Sequence, residues 1–318
     1  MNNINLRHAQ PDRDFGQLAA WFTSFEDEPS TEAGLKDWFA KNRSRAHVSV
    51  AENERVDLIG FYWATRSKTE AGLVNFDLFV APERRRQGVG GRLEQDLMST
   101  FKADPVKVFR LCAREDCPEG LDFVKRRGFT ERLRRLRMAL DLDSFDDSSY
   151  DPLIARLKED GFQFTSMVAL GDSEEAQRKL YRLNESTNMN TLGGTGECAW
   201  ESFEDFQNSV CRSGWYKPGG QMVVIDTTTG NWAGMSAITR MEGNAYAYNL
   251  HTGVDRRYRG RKLAQAVKVI ALRYARIELK ARQVRTHHNS KNLPMLAIDR
   301  KFGYRKLGGT YLMEMRIN

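Results

Sequence analysis

From Val74 to Val80 the chain reads Val-Asn-Phe-Asp-Leu-Phe-Val, a mixture of apolar and β-favouring residues that predicts a buried strand. The strand runs into Ala81-Pro82-Glu83-Arg84-Arg85-Arg86-Gln87-Gly88-Val89-Gly90-Gly91, a basic glycine-rich turn, after which Leu93, Leu97, Met98 and Phe101 recur at helical spacing. The same order returns further on. Residues 246–254 predict a strand, residues 255–264 a basic turn, and Leu263, Val267, Ile270 and Tyr274 one face of a helix. Setting Val80 on Val254 places Arg85 on Arg259 and Gly90 on Ala264, a shift of 174 residues, while residues 124–129 match 299–304 at a shift of 175. Two distant landmarks that agree to one residue point to an internal duplication. Each Gly-aromatic pair, Gly128-Phe129 and Gly303-Tyr304, precedes a strand-like stretch, 136–142 in the first copy and 310–317 in the second.

The acidic, turn-rich segment 141–152 separates the copies, with a boundary near Ser148 and a short helix expected over 152–161. The reading is therefore two similar α/β domains, 1–146 and 150–318, each with its own mixed sheet opened around its loop strand. Residues 193–196 and 218–220 are expected to be structural loops of the second. A length of 318 residues suits two domains, and 41% hydrophobic with 29% charged residues excludes general disorder. The net charge of +7 suits a polyanionic partner without choosing between nucleic acid and a phosphorylated cofactor. The basic clusters fall on the two turns, and no helix-turn-helix, zinc or aromatic RNA motif accompanies them, which argues against nucleic acid. Met1 to Leu6 show no signal-peptide pattern, and no apolar run approaches a membrane span. Cys112, Cys117, Cys198 and Cys211 form no Cys-x-x-Cys pair, so reduced thiols in a cytoplasmic protein are expected. His287-His288 has no ligand-spaced partner, and no metal is expected.

A strand that delivers a glycine-rich turn to a helix N-terminus makes an anion site, because unpaired N–H groups and the helix dipole both favour negative charge there. Gly88, Gly90 and Gly91 allow close backbone approach, and Arg84, Arg85 and Arg86 add charge. The turn fits neither the Walker pattern nor the dinucleotide fingerprint. Arg85-Arg86-Gln87-Gly88-Val89-Gly90 after Val80-Ala81-Pro82 instead resembles the Arg/Gln-x-x-Gly-x-Gly/Ala motif of the GNAT N-acetyltransferase superfamily. Arg259-Gly260-Arg261-Lys262-Leu263-Ala264 is similar, with Lys262 where the central glycine is expected. In that family an Asn contacts the CoA arm seven residues before a frequent catalytic Tyr. Those positions map to Asn292 and Asp299 in the second copy and to Cys117 and Val124 in the first. The whole arrangement looks like double-GNAT proteins of the mycothiol synthase type.

The resemblance implies two tandem acyl-CoA N-acyltransferase domains that move acetyl from acetyl-CoA to a primary amine of an unidentified, small-molecule acceptor. It implies cofactor contacts at Leu78, Val80, Arg85, Arg86, Gln87, Gly88, Val89, Gly90 and Gly91. In the second copy the corresponding contacts are Thr252, Val254, Arg259, Gly260, Arg261, Lys262, Leu263, Ala264 and Asn292. His251 and Asp77 occupy matching strands and are the candidate bases, and Asp299 is a candidate acid if burial raises its pKa. Polar Asn249, His251, Thr252 and Asp299 favour the second copy for the chemistry. A CoA-binding regulatory protein without turnover is the alternative, because the catalytic Tyr is missing twice. Monomer and homodimer both remain open, and the acidic runs 26–28, 174–175 and 204–205 are weak pointers to a cationic acceptor.

Overall fold

The structure, a computed structural model, describes residues 4–25, 30–102, 105–189 and 200–317. The expected loop at 193–196, Cys198 and the acidic run 26–28 lie outside these residues. The chain forms two compact units, Met1–Arg132 with Tyr311–Asn318, and Leu133–Thr310.

The first unit runs β1 (Asn5–His8), α1 (Pro11–Phe25), α2 (Glu32–Asn42), β2 (Ala46–Glu52), β3 (Leu58–Arg66), β4 (Leu73–Val80), α3 (Val89–Thr100), β5 (Val108–Arg114) and α4 (Pro118–Lys125), followed by the start of β6 (Thr130–Asp141). Strands β1 to β4 pair antiparallel in sequence order, and β4 pairs parallel to β5. Side chains alternate across the strands, so each face has its own core. On one face Val74, Phe76, Tyr62 and Phe109 pack with Leu93 and Leu97 of α3; on the other, Phe61 and Trp63 pack with Phe15, Leu18 and Phe22 of α1. Leu93 and Leu97 are fully buried. Truncating either to Ala removes about 2–5 kcal/mol. Arg7 of β1 donates to the Asp14 carboxylate at 2.7 and 2.8 Å and to Glu52 Oε1 at 2.7 and 3.0 Å. This partly buried network pins the first turn of α1 to β1 and β2, and so fixes the helix that carries Trp21 and Phe25.

The second unit contains most of β6, then α5 (Asp151–Glu159), β7 (Phe162–Ser166), α6 (Glu174–Met189), a one-turn α7 (Phe203–Phe206), β8 (Gln221–Asp226), β9 (Trp232–Thr239), β10 (Ala247–Val254), α8 (Leu263–Ile277), β11 (Gln283–Asn289), α9 (Leu293–Phe302) and the start of β12 (Arg305–Arg316). Shifting β4 by 174 residues gives the bounds of β10, and shifting β5 and β6 by 175 gives those of β11 and β12. The duplication is thus visible element by element.

The compact units divide the chain differently from a cut near Ser148, and the expectation that each half keeps a sheet to itself is not met. The sheet order is β1-β2-β3-β4-β5-β12 in the first unit and β6-β11-β10-β9-β8-β7 in the second, so the last strand of each half completes the other unit. The exchange has a side-chain reason. Glu314 of β12 is buried and accepts from Arg110 Nε at 2.7 Å and from Arg132 Nη1 at 2.8 Å, both in the first unit. No helix among the described residues is long and apolar enough to cross a membrane.

Candidate active site

In the first unit β4 and β5 pair only from Leu73–Val108 to Asn75–Arg110. Beyond that point β4 has no register partner in β5, and a cleft of about 900 Å³ opens. The phosphate-type turn lies at one end. Pro82–Arg84 form one 3-10 turn, and α3 then begins at Val89 with Gly88 as its N-cap. Arg86 and Gly88 both take positive φ, 61° and 86°, and a Cβ added at Gly88 would meet no protein atom within 4 Å. Gly90 and Gly91 complete the floor: a Cβ at Gly90 would come within 3.1 Å of the Phe123 ring, and one at Gly91 within 3.3 Å of the Arg127 guanidinium.

The expected loop cations divide in role. Arg85 braces the turn, with Nε donating to Val80 O at 3.2 Å and Nη1 paired to Glu119, while Gln87 Nε2 donates to Glu83 O. Arg127, which the motif does not cover, borders the cleft with its guanidinium stacked 3.5 Å over Phe123 and paired to Glu94 at 2.7 Å. Leu78 and Val80 line the cleft, whereas the Val89 side chain is buried and only its backbone faces the turn.

Strand alternation sorts the cleft walls. Leu78, Val80, Leu111 and Ala113 share the α3 face. Asp77 and Phe79, registered against Trp63 and Phe61, lie on the α1 face together with Cys112 and Arg114 of β5. Asp77 is half-buried in the cleft wall, and burial alone pushes its carboxyl up to about 6. Trp21 and Phe25 of α1 close that face over Phe79, at ring-centroid distances of 5.1 and 5.5 Å. The sequence reading missed these two aromatics, because residues 1–45 show only helical character.

The second unit repeats the frame with a different filling. Strands β10 and β11 also pair over only two residues, Ala247–Val284 and Tyr248–Arg285. Its turn has the same backbone: Gly260 and Lys262 take φ of 82° and 64°, and Arg259 Nε donates to Val254 O at 3.3 Å as Arg85 does to Val80. Lys262 is the exposed N-cap of α8 and crowds nothing in the turn. Arg261 lies 5.8 Å from the Phe162 ring, Leu263 is core, and Ala264 takes the place of Gly90.

Where the first unit has Glu94, Ala113 and Val124 on its cleft, the second has Lys268, His288 and Asp299. Lys268 and Asp299 are fully buried and ion-paired; His288 Nε2 lies 2.7 Å from Asp299 Oδ2, out of hydrogen-bonding alignment. Burial pushes the Asp299 carboxyl up, but Lys268 and then His288 outweigh it and hold it below the usual carboxylate range. Asp299 is therefore an ionised structural partner, which corrects its expectation as an acid. His251 Nε2 is 2.8 Å from Thr187 Oγ1, and burial, with the charge of His288 second, pulls its pKa to about 4. Thr252 is buried between Ser236 and Asn249 hydroxyl and amide groups at 2.9 and 3.1 Å, and Val254 packs against the core. Asn292 caps α9, accepting from Met295 N at 3.4 Å. Its counterpart Cys117 caps α4 without a side-chain bond. Among the described residues no group of three or more His, Cys, Asp or Glu is placed to hold a metal.

A mixed sheet that splays at one parallel pair, with a glycine-rich turn leading into the following helix, is the frame of the first unit. Residues 14–129, within the first unit, match the Acetyltransferase (GNAT) family. The fold extends through the second unit. A GCN5-related N-acetyltransferase from Sphaerobacter thermophilus is similar over 98% of this chain and 95% of its own, at 16% identity and a TM-score of 0.71. A tandem GNAT protein from the clavulanic acid biosynthesis pathway is similar over 99% and 98%, at 17% identity and 0.72. A GCN5-related glucosamine N-acetyltransferase region of a fungal multi-domain β-N-acetylglucosaminidase matches 99% of this chain and 38% of its own, at 12% and 0.75. At these identities the likeness is one of fold. No curated protein matches the chain in sequence.

Proposed function

We propose that the first unit binds acetyl-CoA and transfers its acetyl group to a primary amine of a small molecule, with Asp77 as general base. The observation that carries this reading is Asp77 itself, a carboxyl raised to about 6 in the wall of a cleft that has the phosphate-type turn at its end. The turn fits the cosubstrate: the Arg86–Gly91 backbone and the N-terminus of α3 would hold the pyrophosphate, with Arg127 beside them. The acyl thioester supplies an activated carbonyl, and the backbone of β4 beyond Asn75, without a register partner in β5, would polarise it. Asp77, ionised above pH 6, takes the proton of the incoming ammonium, so that the neutral nitrogen bonds to the acyl carbon as the carbon–sulfur bond breaks. Val124 has no proton to give the departing thiolate, which takes, through water in the open cleft, the second proton that the nitrogen loses as the amide forms.

This reading moves the chemistry away from the second unit, where sequence polarity had placed it. There the polar groups bond to one another, and a histidine near pKa 4 is a weak base for an ammonium. Thiol release from acetyl-CoA across a panel of primary amines tests the proposal. Wild-type turnover that Asp77→Asn lowers about a hundredfold, with acetyl-CoA binding retained, supports it. Turnover indifferent to Asp77→Asn, or binding without turnover on any amine, overturns it.

A further inference from the structure

Resting on that reading of the cleft, we infer that the acceptor is a primary amine carried on a flat, apolar, aromatic body, seated against Trp21, Phe25 and Phe79 with its nitrogen at Asp77. The two faces of the splay differ in charge. The α3 face presents Leu78, Val80 and Leu111 beside the turn, with Phe76, Phe123 and Phe129 behind them, as suits the pantetheine arm. The α1 face presents rings beside the Asp77 carboxylate. Phe79 stands two residues beyond Asp77 and therefore on the same side of β4, and α1 brings Trp21 and Phe25 over it. Trp21 and Phe25 keep part of their surface open while the rings behind them, Phe61 and Phe22, are buried. An ammonium at Asp77 would meet one carboxylate and the π-face of neighbouring rings, both of which favour a cation, and an aromatic body would replace water on the rest of the wall.

Charge limits the alternatives. Arg114 lies on this wall, held by Phe25 O at 2.9 Å and by Asp116, and disfavours a second positive centre nearby. Asp116 is already engaged by that guanidinium. A polyamine thus finds one anchoring carboxylate and an opposing cation, and a polyhydroxylated amino-sugar finds rings in place of hydrogen-bonding groups. A long acyl chain on the cosubstrate is the remaining way to cover the rings, and the test separates it.

The experiment compares kcat/KM for 2-phenylethylamine and tryptamine with that for butylamine, spermidine and glucosamine, each with acetyl-CoA, on the full chain. At least a tenfold preference for the two aryl amines is expected. Trp21→Ala should raise the KM for 2-phenylethylamine at least tenfold with the KM for acetyl-CoA unchanged. Trp21→Phe should restore most of it, and circular dichroism on both variants separates this from misfolding. Preference for spermidine or glucosamine overturns the acceptor class while leaving the acetyltransferase reading intact. Equal gains for all amines when octanoyl-CoA replaces acetyl-CoA assign the rings to the acyl chain and overturn it too. No thiol release with any amine, in a protein that binds acetyl-CoA by calorimetry, removes both the acceptor class and the reading beneath it.

Discussion

The two splayed strand pairs share a backbone and differ in what fills them. In the first unit β4 and β5 part around Asp77, Ala113 and Val124, and a cleft of about 900 Å³ remains. In the second, β10 and β11 part in the same way, yet Lys268 and Asp299, at the places of Glu94 and Val124, form a buried ion pair with His288 beside it. The turns are equally alike. The positive-φ positions are Arg86 and Gly88 in one copy and Gly260 and Lys262 in the other, so glycine is kept at one of the two sites each time. A duplicated frame therefore preserves loop conformation through its glycines, while a handful of side chains between the strands decides whether the frame is a site or a core.

The largest effect expected from breaking this comparison is on the buried pair. Lys268→Met leaves Asp299 charged and without its ammonium partner, and should destabilise the second unit by about 3–5 kcal/mol in denaturant unfolding. Lys268→Met with Asp299→Leu should recover most of that loss, because neither charge is then stranded. A single variant as stable as wild type would mean that the second splay is not held by this pair.

Next in size is the contrast between the two candidate bases. Asp77→Asn should lower kcat by about a hundredfold, or about 2.7 kcal/mol of barrier, whereas His251→Ala should change it by less than about threefold. The wild-type kcat/KM should rise with pH through about 6 as the Asp77 carboxylate forms, and the residual rate of Asp77→Asn should lose that limb. Reversal of the two variants would return the chemistry to the second unit.

The same group gives a smaller effect on stability. The folded-state pKa of Asp77 lies above that of an ordinary aspartate, so its favourable contribution is complete below the ordinary value and is lost as pH rises through about 6. Asp77→Asn should therefore stabilise the protein at pH 8 by about 1–3 kcal/mol and change little at pH 4. Equal melting shifts at both pH values would contradict the burial of that carboxyl. Smallest of all, Lys262→Gly should relieve the positive φ at the second turn, raising stability by under about 1 kcal/mol with turnover unchanged.

Much of the frame was legible in the sequence because it is written locally. Val74–Val80, the turn after Pro82 and the apolar face of α3 depend on neighbours a few residues apart, and the shift between copies follows from them. The filling was not legible for the opposite reason. Lys268 meets Asp299 31 residues later and His288 approaches from a third element, so the buried ion pair could not be read from local polarity. Asn292, expected as a cofactor contact, caps α9. The face of Asp77 could be counted from strand alternation, yet Trp21 and Phe25 reach that face only through the packing of α1. The exchange of β6 and β12 rests on Glu314 meeting Arg110 and Arg132, contacts of 204 and 182 residues' separation that no local pattern carries.

Calorimetric titration of acetyl-CoA into three forms of the chain tests the central claim most directly. Gly88 lines the cleft with open space where its Cβ would be, so Gly88→Trp places a ring in the cosubstrate's path. Lys262→Trp does the equivalent at the second turn. The account predicts one acetyl-CoA bound per wild-type chain, none measurable in Gly88→Trp, and wild-type binding in Lys262→Trp. Two equivalent sites per chain, or a single site that survives Gly88→Trp and disappears in Lys262→Trp, would contradict it.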